Sequence, residues 1–216
     1  LLGPEHPDVG DTLIETGLLA HRSGDSKQAI SLYRKAIGIW EEALGPDDRK
    51  VGLGRMWLGN LLEQTGQLQP ALQAYERAQL VLDKALRPGH PERLACLQAL
   101  ARLRSHHGDY AGAADPVTAL LETQQELHGQ DSPELIETLN TLASLYSFAN
   151  RIDDACPVYR RALSLAERHM GPGHALTARA VANCAGCALA QGRLDDAREG
   201  FERALPLVEA ALGPES

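Results

Sequence analysis

Leu139-Asn140-Thr141-Leu142-Ala143-Ser144-Leu145-Tyr146, followed by Asn150, Ala155, Tyr159 and Ala162, is the stretch whose reading decides the fold. Leu139, Leu142 and Leu145 recur at helical spacing and define an apolar face. Ala143 is a small residue where two helix backbones must approach closely. Asn150 tolerates the left-handed conformation that ends a helix. Ala155, Tyr159 and Ala162 then form a small–aromatic–small face on a second helix, its ring filling the gap between the pair.

Working outward, the same unit occurs five times. The connector Leu2-Gly3-Pro4-Glu5-His6-Pro7 returns from Leu44, Leu86, His128 and Met170, and Leu212-Gly213-Pro214-Glu215 begins a sixth copy. Successive starts are 42 residues apart without insertions. The small position reads Gly17, Gly59, Ala101, Ala143 and Ala185. The helix-ending position reads Gly24, Gly66, Gly108, Asn150 and Gly192. On the second helix come Ala29, Ala71, Ala113, Ala155 and Ala197. Then follow Tyr33, Tyr75, Val117, Tyr159 and Phe201, and finally Ala36, Ala78, Leu120, Ala162 and Ala204. Neither helix of a pair buries its face alone, so the pairs must stack.

The order small, Gly, Ala, aromatic, Ala resembles the tetratricopeptide repeat, whose usual period is about 34 residues. A 42-residue unit joined by Leu-Gly-Pro-x-His-Pro is similar to the repeats of the kinesin light chain family. HEAT and armadillo repeats share a period of ~40–47 residues but not this residue order. The resemblance implies an all-α, right-handed α-solenoid of five tandem tetratricopeptide repeats: residues 2–43, 44–85, 86–127, 128–169 and 170–211, with 212–216 starting a further connector. We expect one solenoid cut from a longer array, because no polar capping helix follows Ala211.

Composition excludes several classes. A net charge of −8 argues against a nucleic-acid binder, which needs a basic stripe, and against docking on an anionic membrane. No apolar run reaches the ~18 residues of a transmembrane span. The four cysteines, Cys96, Cys156, Cys184 and Cys187, follow no disulfide framework, which points to a reducing, cytoplasmic compartment.

Individual repeats depart from the pattern. In the first, helices are expected over roughly Asp8–Ser23 and Ser26–Ala43, with Trp40 against the following connector. The second carries Met56-Trp57, Pro70 in a tolerant first turn, and Arg55 where other repeats have Leu or Val. The third is the most divergent, with Arg104 where the fourth has Tyr146. Its Pro116 should remove a helical hydrogen bond and bend the second helix, as should Pro206 in the fifth.

Chemistry is sought and not found. Cys184-Ala185-Gly186-Cys187 falls inside a helix where the fourth repeat has Leu142 and Leu145, so both cysteines are read as core. His6, His90 and His174 share one connector position and suit helix capping, not metal binding. Asp153-Asp154 and Asp195-Asp196 complement helix dipoles. No metal or nucleophile motif is present. We therefore expect no enzyme, no cofactor and no metal.

The resemblance places a partner on the concave surface lined by first helices. Carried over by repeat position, that surface includes Ile14, Leu18 and Arg22; Met56, Trp57, Asn60 and Gln64; Gln98, Arg102 and His106; Asn140, Thr141, Ser144 and Phe148; and Arg179, Asn183 and Gly186. Asn60, Asn140 and Asn183 resemble groove asparagines whose amides bind an extended backbone. Arg102, with Arg104 and His106, should make the centre positive, and Trp57 adds a large apolar contact. The two-lysine, two-asparagine clamp of chaperone-tail binders is not matched, because Ile14, Leu18 and Met56 occupy its polar positions. The expected function is a non-catalytic protein–protein interaction scaffold or adaptor binding a peptide, acidic with an apolar anchor. The alternative is a sensor or assembly arm of a larger signalling protein, such as an ATPase, acting by self-association or intramolecular docking. Ordinary solvated helix faces are the plain alternative to any groove.

Overall fold

The computed structural model describes residues 3–212, with side chains through 209. Leu2 of the first connector, the partial sixth connector from Gly213 and the side chain of Ala211 lie outside the described residues. Among the described residues ten helices follow one another: α1 (Pro7–Arg22), α2 (Ser26–Leu44), α3 (Arg49–Gln64), α4 (Leu68–Ala85), α5 (Pro91–His106), α6 (Tyr110–His128), α7 (Leu135–Phe148), α8 (Ile152–Met170), α9 (Ala175–Ala190) and α10 (Leu194–Leu212). There is no strand among the described residues. The fold is thus the all-α helix-pair repeat. The chain forms two compact units, one through Leu103 and one from Arg104.

Sequence sets the helix starts. His6, Asp48, His90, Ser132 and His174 occupy one repeat position. Nδ1 of His6 accepts the Asp8 N–H at 3.2 Å, His90 that of Glu92 at 3.3 Å, and His174 that of Leu176 at 3.1 Å. Asp48 accepts from the Lys50 N–H at 2.7 Å. The connector histidines are therefore caps that satisfy otherwise orphaned amides. Ser132 differs: its hydroxyl donates to the Glu134 carboxylate, and α7 begins only at Leu135. At the turn inside each repeat, Gly24, Gly66, Gly108, Asn150 and Gly192 all have positive φ, Asn150 being the one non-glycine among the described residues.

In the first unit, each aromatic ring sits in a notch left by a small residue. A Cβ added at Gly17 would lie 2.6 Å from the Tyr33 ring, and one at Gly59 3.1 Å from the Tyr75 ring. Ala29, Ala36, Ala71 and Ala78 are fully buried around them. Trp40 departs from expectation. Its indole N–H donates back to the Pro7 carbonyl at 3.1 Å, and its ring lies against Gly10 and Gly54, not against the connector that follows. Two glycines make the room, and an added Cβ at either would clash with the indole. Neighbouring repeats are tied about one period apart, by Lys50 to Asp11 at 2.8 Å and Arg49 Nε to Glu92 at 2.7 Å.

The second unit repeats the scheme with Ala143, Ala155 and Cys156 packed around Tyr159. α6 continues without a break through Pro116. Proline has no N–H, so the carbonyl four residues earlier, Gly112 O, loses its helical donor. The Arg104 guanidinium supplies one from outside the helix: Nη1 donates to Gly112 O at 2.7 Å. Two irregularities of the third repeat are therefore one device.

Arg104→Leu should cost about 1–2 kcal/mol in urea unfolding, because it strands a part-buried carbonyl. Adding Pro116→Ala, which restores an N–H, should recover about half of that or more. Strict additivity in the double-mutant cycle would contradict the coupling. Gly17→Ala gains up to ~1 kcal/mol of helix propensity. It pushes a methyl into Tyr33, an overpacking cost of about 1–3 kcal/mol, so it should lower the melting temperature.

Candidate peptide-binding site

Four residues of α7, Glu137, Thr141, Ser144 and Phe148, recur at spacings of four, three and four, so they share one helix face. Arg179 and Asn183 stand one turn apart on α9. Together with Asn140 and Leu145 these residues line an open groove of about 460 Å³, within the ~300–1,000 Å³ typical of ligand sites. Six of them, Asn140, Thr141, Ser144, Phe148, Arg179 and Asn183, are residues that the repeat alignment assigned to the groove.

Their roles differ from expectation. Asn140 is 5% exposed. Its Nδ2 donates to Ile136 O at 2.9 Å, and its Oδ1 accepts from Asn183 Nδ2 at 3.1 Å. Asn140 is thus the floor that joins α7 to α9, with both ends of its amide engaged. Ser144 bonds the Asn140 carbonyl and the Tyr159 hydroxyl, each at 2.8 Å. The open functions are those of Asn183 Oδ1 and Arg179. Among the described residues the Arg179 guanidinium forms no ion pair. Phe148 is 68% exposed, with its ring centroid 5.1 Å from that of Tyr110. The groove therefore presents a cation, an amide acceptor and an aromatic wall.

Two of the three residues expected to make the centre positive are held by partners. Arg102 is held by both oxygens of Glu63, with Nη2 to Oε2 at 2.9 Å. Tyr75 also bonds Glu63, and burial first, then this carboxylate, pushes its phenol up. Arg104 is turned to Gly112 and Asp109. His106 and Gln98 are exposed. In the first unit, His21 Nε2 meets Gln64 Oε1 at 2.8 Å, and Gln64 donates to Asn60 Oδ1 at 3.1 Å. Trp57 is 38% exposed on α3.

Sequence reasoning missed Glu137 and Tyr110. Glu137 was detectable, since it occupies the same repeat position as Arg179, so opposite charges face the groove from adjacent repeats. Tyr110 opens α6, outside any first helix, and gave no signal.

The cysteines are all free. Burial pushes the Cys96 thiol up to about 12, and nearby Asp83 adds to this. Burial, then neighbouring Cys156, does the same for Cys184 (about 11) and Cys187 (about 12). Among the described residues no cluster of three or more His, Cys, Asp or Glu is placed to hold a metal ion. No helix among the described residues is long and apolar enough to cross a membrane.

Residues 52–122 and 150–210 match a family model described as tetratricopeptide repeat, and residues 13–49 match a second model so described. The chain belongs to the tetratricopeptide repeat family. It is similar to the clustered mitochondria protein homolog of Coccidioides immitis, 27% identical over 177 residues, covering 78% of this chain and 14% of that protein. It is also similar to Protein KINESIN LIGHT CHAIN-RELATED 2 of Arabidopsis thaliana, 23% identical over 137 residues, 63% of this chain and 21% of that one. The solved kinesin light chain TPR-like repeats of Podospora anserina superpose with a TM-score of 0.69 at 20% identity, covering 94% of this chain and 97% of that one. BtubC (BKLC) of P. vanneervenii gives 0.62 at 23% identity, covering 94% and 81%. These structures share the fold. The chain spans 14% of the length of the clustered mitochondria relative.

At pH 8, Cys96, Cys184 and Cys187 should react with iodoacetamide at least about tenfold more slowly than free cysteine, because little thiolate forms. Unfolding in urea should release them. Rapid labelling of Cys187 in the folded chain would contradict this.

Proposed function

We propose that the α7–α9 groove binds an extended peptide segment of a partner protein. Tetratricopeptide repeats are protein–protein interaction scaffolds, and the family match brings no enzyme family with it. Within that class, one observation carries the reading: Arg179, whose guanidinium forms no ion pair among the described residues, lines the same open groove as the exposed Phe148 ring. A carboxylate of the peptide faces Arg179, whose guanidinium fork donates two parallel hydrogen bonds to it. An apolar side chain packs on Phe148 and Tyr110. A peptide N–H donates to Asn183 Oδ1, whose orientation Asn140 fixes from below. Glu137, at the same repeat position as Arg179 on the adjacent first helix, biases against a second carboxylate next to the first. The partner is thus acidic at one position with an apolar anchor nearby. Buried, free thiols support a reducing, cytoplasmic setting.

The test is selection of peptides from a displayed random library, followed by calorimetry. Arg179→Glu should weaken the selected consensus by about 1.5–3 kcal/mol, the range for charged hydrogen bonds. Phe148→Ala should cost about 1–2 kcal/mol. Arg102→Glu, whose native guanidinium is held by Glu63, should lower stability and leave affinity unchanged. Binding indifferent to Arg179 and Phe148 would overturn the groove. Concentration-dependent dimerisation without peptide binding would favour an assembly arm.

A further inference from the structure

A second kind of cavity is lined chiefly by second helices of the repeats. In the first unit, α2 and α4 bound an opening of about 370 Å³ floored by Leu58 and Leu62 of α3. Arg34, Ile37, Gly38 and Glu41 line it from α2, and Ala74 and Arg77 from α4. A Cβ built on Gly38 meets nothing within 4 Å, so the cavity is empty right up to the α2 backbone.

The second unit contains the same cavity, three repeats further along the sequence. There Arg160, Cys184, Ala188 and Arg203 stand where the first has Arg34, Leu58, Leu62 and Arg77. The two differ in how charge is satisfied. In the second unit the carboxylate equivalent to Glu41, Glu167, takes Arg203. In the first unit an additional arginine, Arg55, takes Glu41 at 2.6 Å, where the second unit has Val181. That substitution leaves Arg77 without the carboxylate its counterpart has. Among the described residues neither Arg34 nor Arg77 forms an ion pair or hydrogen bond. Two unpaired guanidiniums therefore flank an apolar floor in a chain whose net charge is −8.

We propose that this α2–α4 cavity is a second docking surface, for an acidic segment of a partner protein that inserts an apolar side chain between Arg34 and Arg77. Charge complementarity fixes the class. The guanidiniums pair carboxylates on either side of the anchor. Ile37, Leu58, Leu62 and Ala74 receive the anchor itself. Arg55 acts indirectly, by occupying Glu41 and keeping that carboxylate off Arg77. This surface does not depend on the α7–α9 groove.

The probe is a capped, fluorescein-labelled peptide of about 12 residues repeating Glu-Leu-Glu-Glu, titrated by anisotropy into the 216-residue chain. Joint Arg34→Gln and Arg77→Gln substitution should weaken binding by about tenfold or more, because charge-assisted pairs are lost. Gly38→Gln should abolish binding by filling the cavity, and it should raise the melting temperature by replacing a helical glycine. The probe with Gln in place of Glu should not bind. Arg55→Val should weaken binding by returning Glu41 to Arg77. Arg179→Gln, which does not line this cavity, should change affinity by less than about twofold. Two results would overturn the proposal: no saturable binding below about 1 mM, or binding unchanged by both Gly38→Gln and the arginine pair. Loss on Arg179→Gln alone would assign the probe to the α7–α9 groove and leave that reading standing. If sedimentation shows dimers that Gly38→Gln disperses, the occupant is a second copy and the partner assignment fails.

Discussion

The first, second and fourth repeats depend on an aromatic ring packed against a small residue of the facing helix. Tyr33 fits over Gly17 and Tyr75 over Gly59, with alanines one turn either side buried beneath the ring. The notch sets how close the two helices come, and the ring fills what the notch opens. A helix pair bound in this way still has one apolar side uncovered, which the next repeat covers. Stability is therefore a property of neighbours, and the ion pairs spaced about one period apart reinforce the same adjacency.

Because the array is periodic, most of the fold was legible from residue types at fixed intervals. The small, Gly and Ala positions and the left-handed turns each follow from one physical requirement repeated five times, the capping histidines recur at three of the five connectors, and the sequence shows them without knowledge of any contact. What periodicity hid were the exceptions. Trp40 reaches back to Pro7 because Gly10 and Gly54 open a slot for it. Gly10 recurs as Gly52, which faces Leu82 in the place of Trp40, but Gly54 aligns with Thr12 and Cys96, so alignment gave only half of the cue.

The repeat alignment placed six of the residues that line the candidate site, while their bonding lay outside its reach for a related reason. Asn60, Asn140 and Asn183 share a residue type but occupy three different positions of the repeat. Their burial differs accordingly: Asn140 is buried, Asn183 half-buried and Asn60 exposed. Likewise Arg102 and Arg104 are both cations, yet each is claimed by a partner on its own side of the helix, Glu63 for one and Gly112 for the other. Pairing of charges depends on contacts about one period away, and counting arginines does not disclose it. Arg179 and Arg34 stand out only after the paired arginines have been removed from the count.

The bond from Arg104 to the carbonyl that Pro116 leaves without a donor also has a historical meaning. An arginine at that position is harmless beside an intact helix, whereas a proline without the arginine exposes an orphaned acceptor. Of the two orders in which the pair could have been acquired, one passes through a weakened intermediate and the other does not. Selection for a folded array therefore favours arginine first. Once the proline has followed, the arginine is no longer free to leave. The third repeat's divergence is in this sense a ratchet: two changes that look like independent drift in an alignment are locked together by a single hydrogen bond.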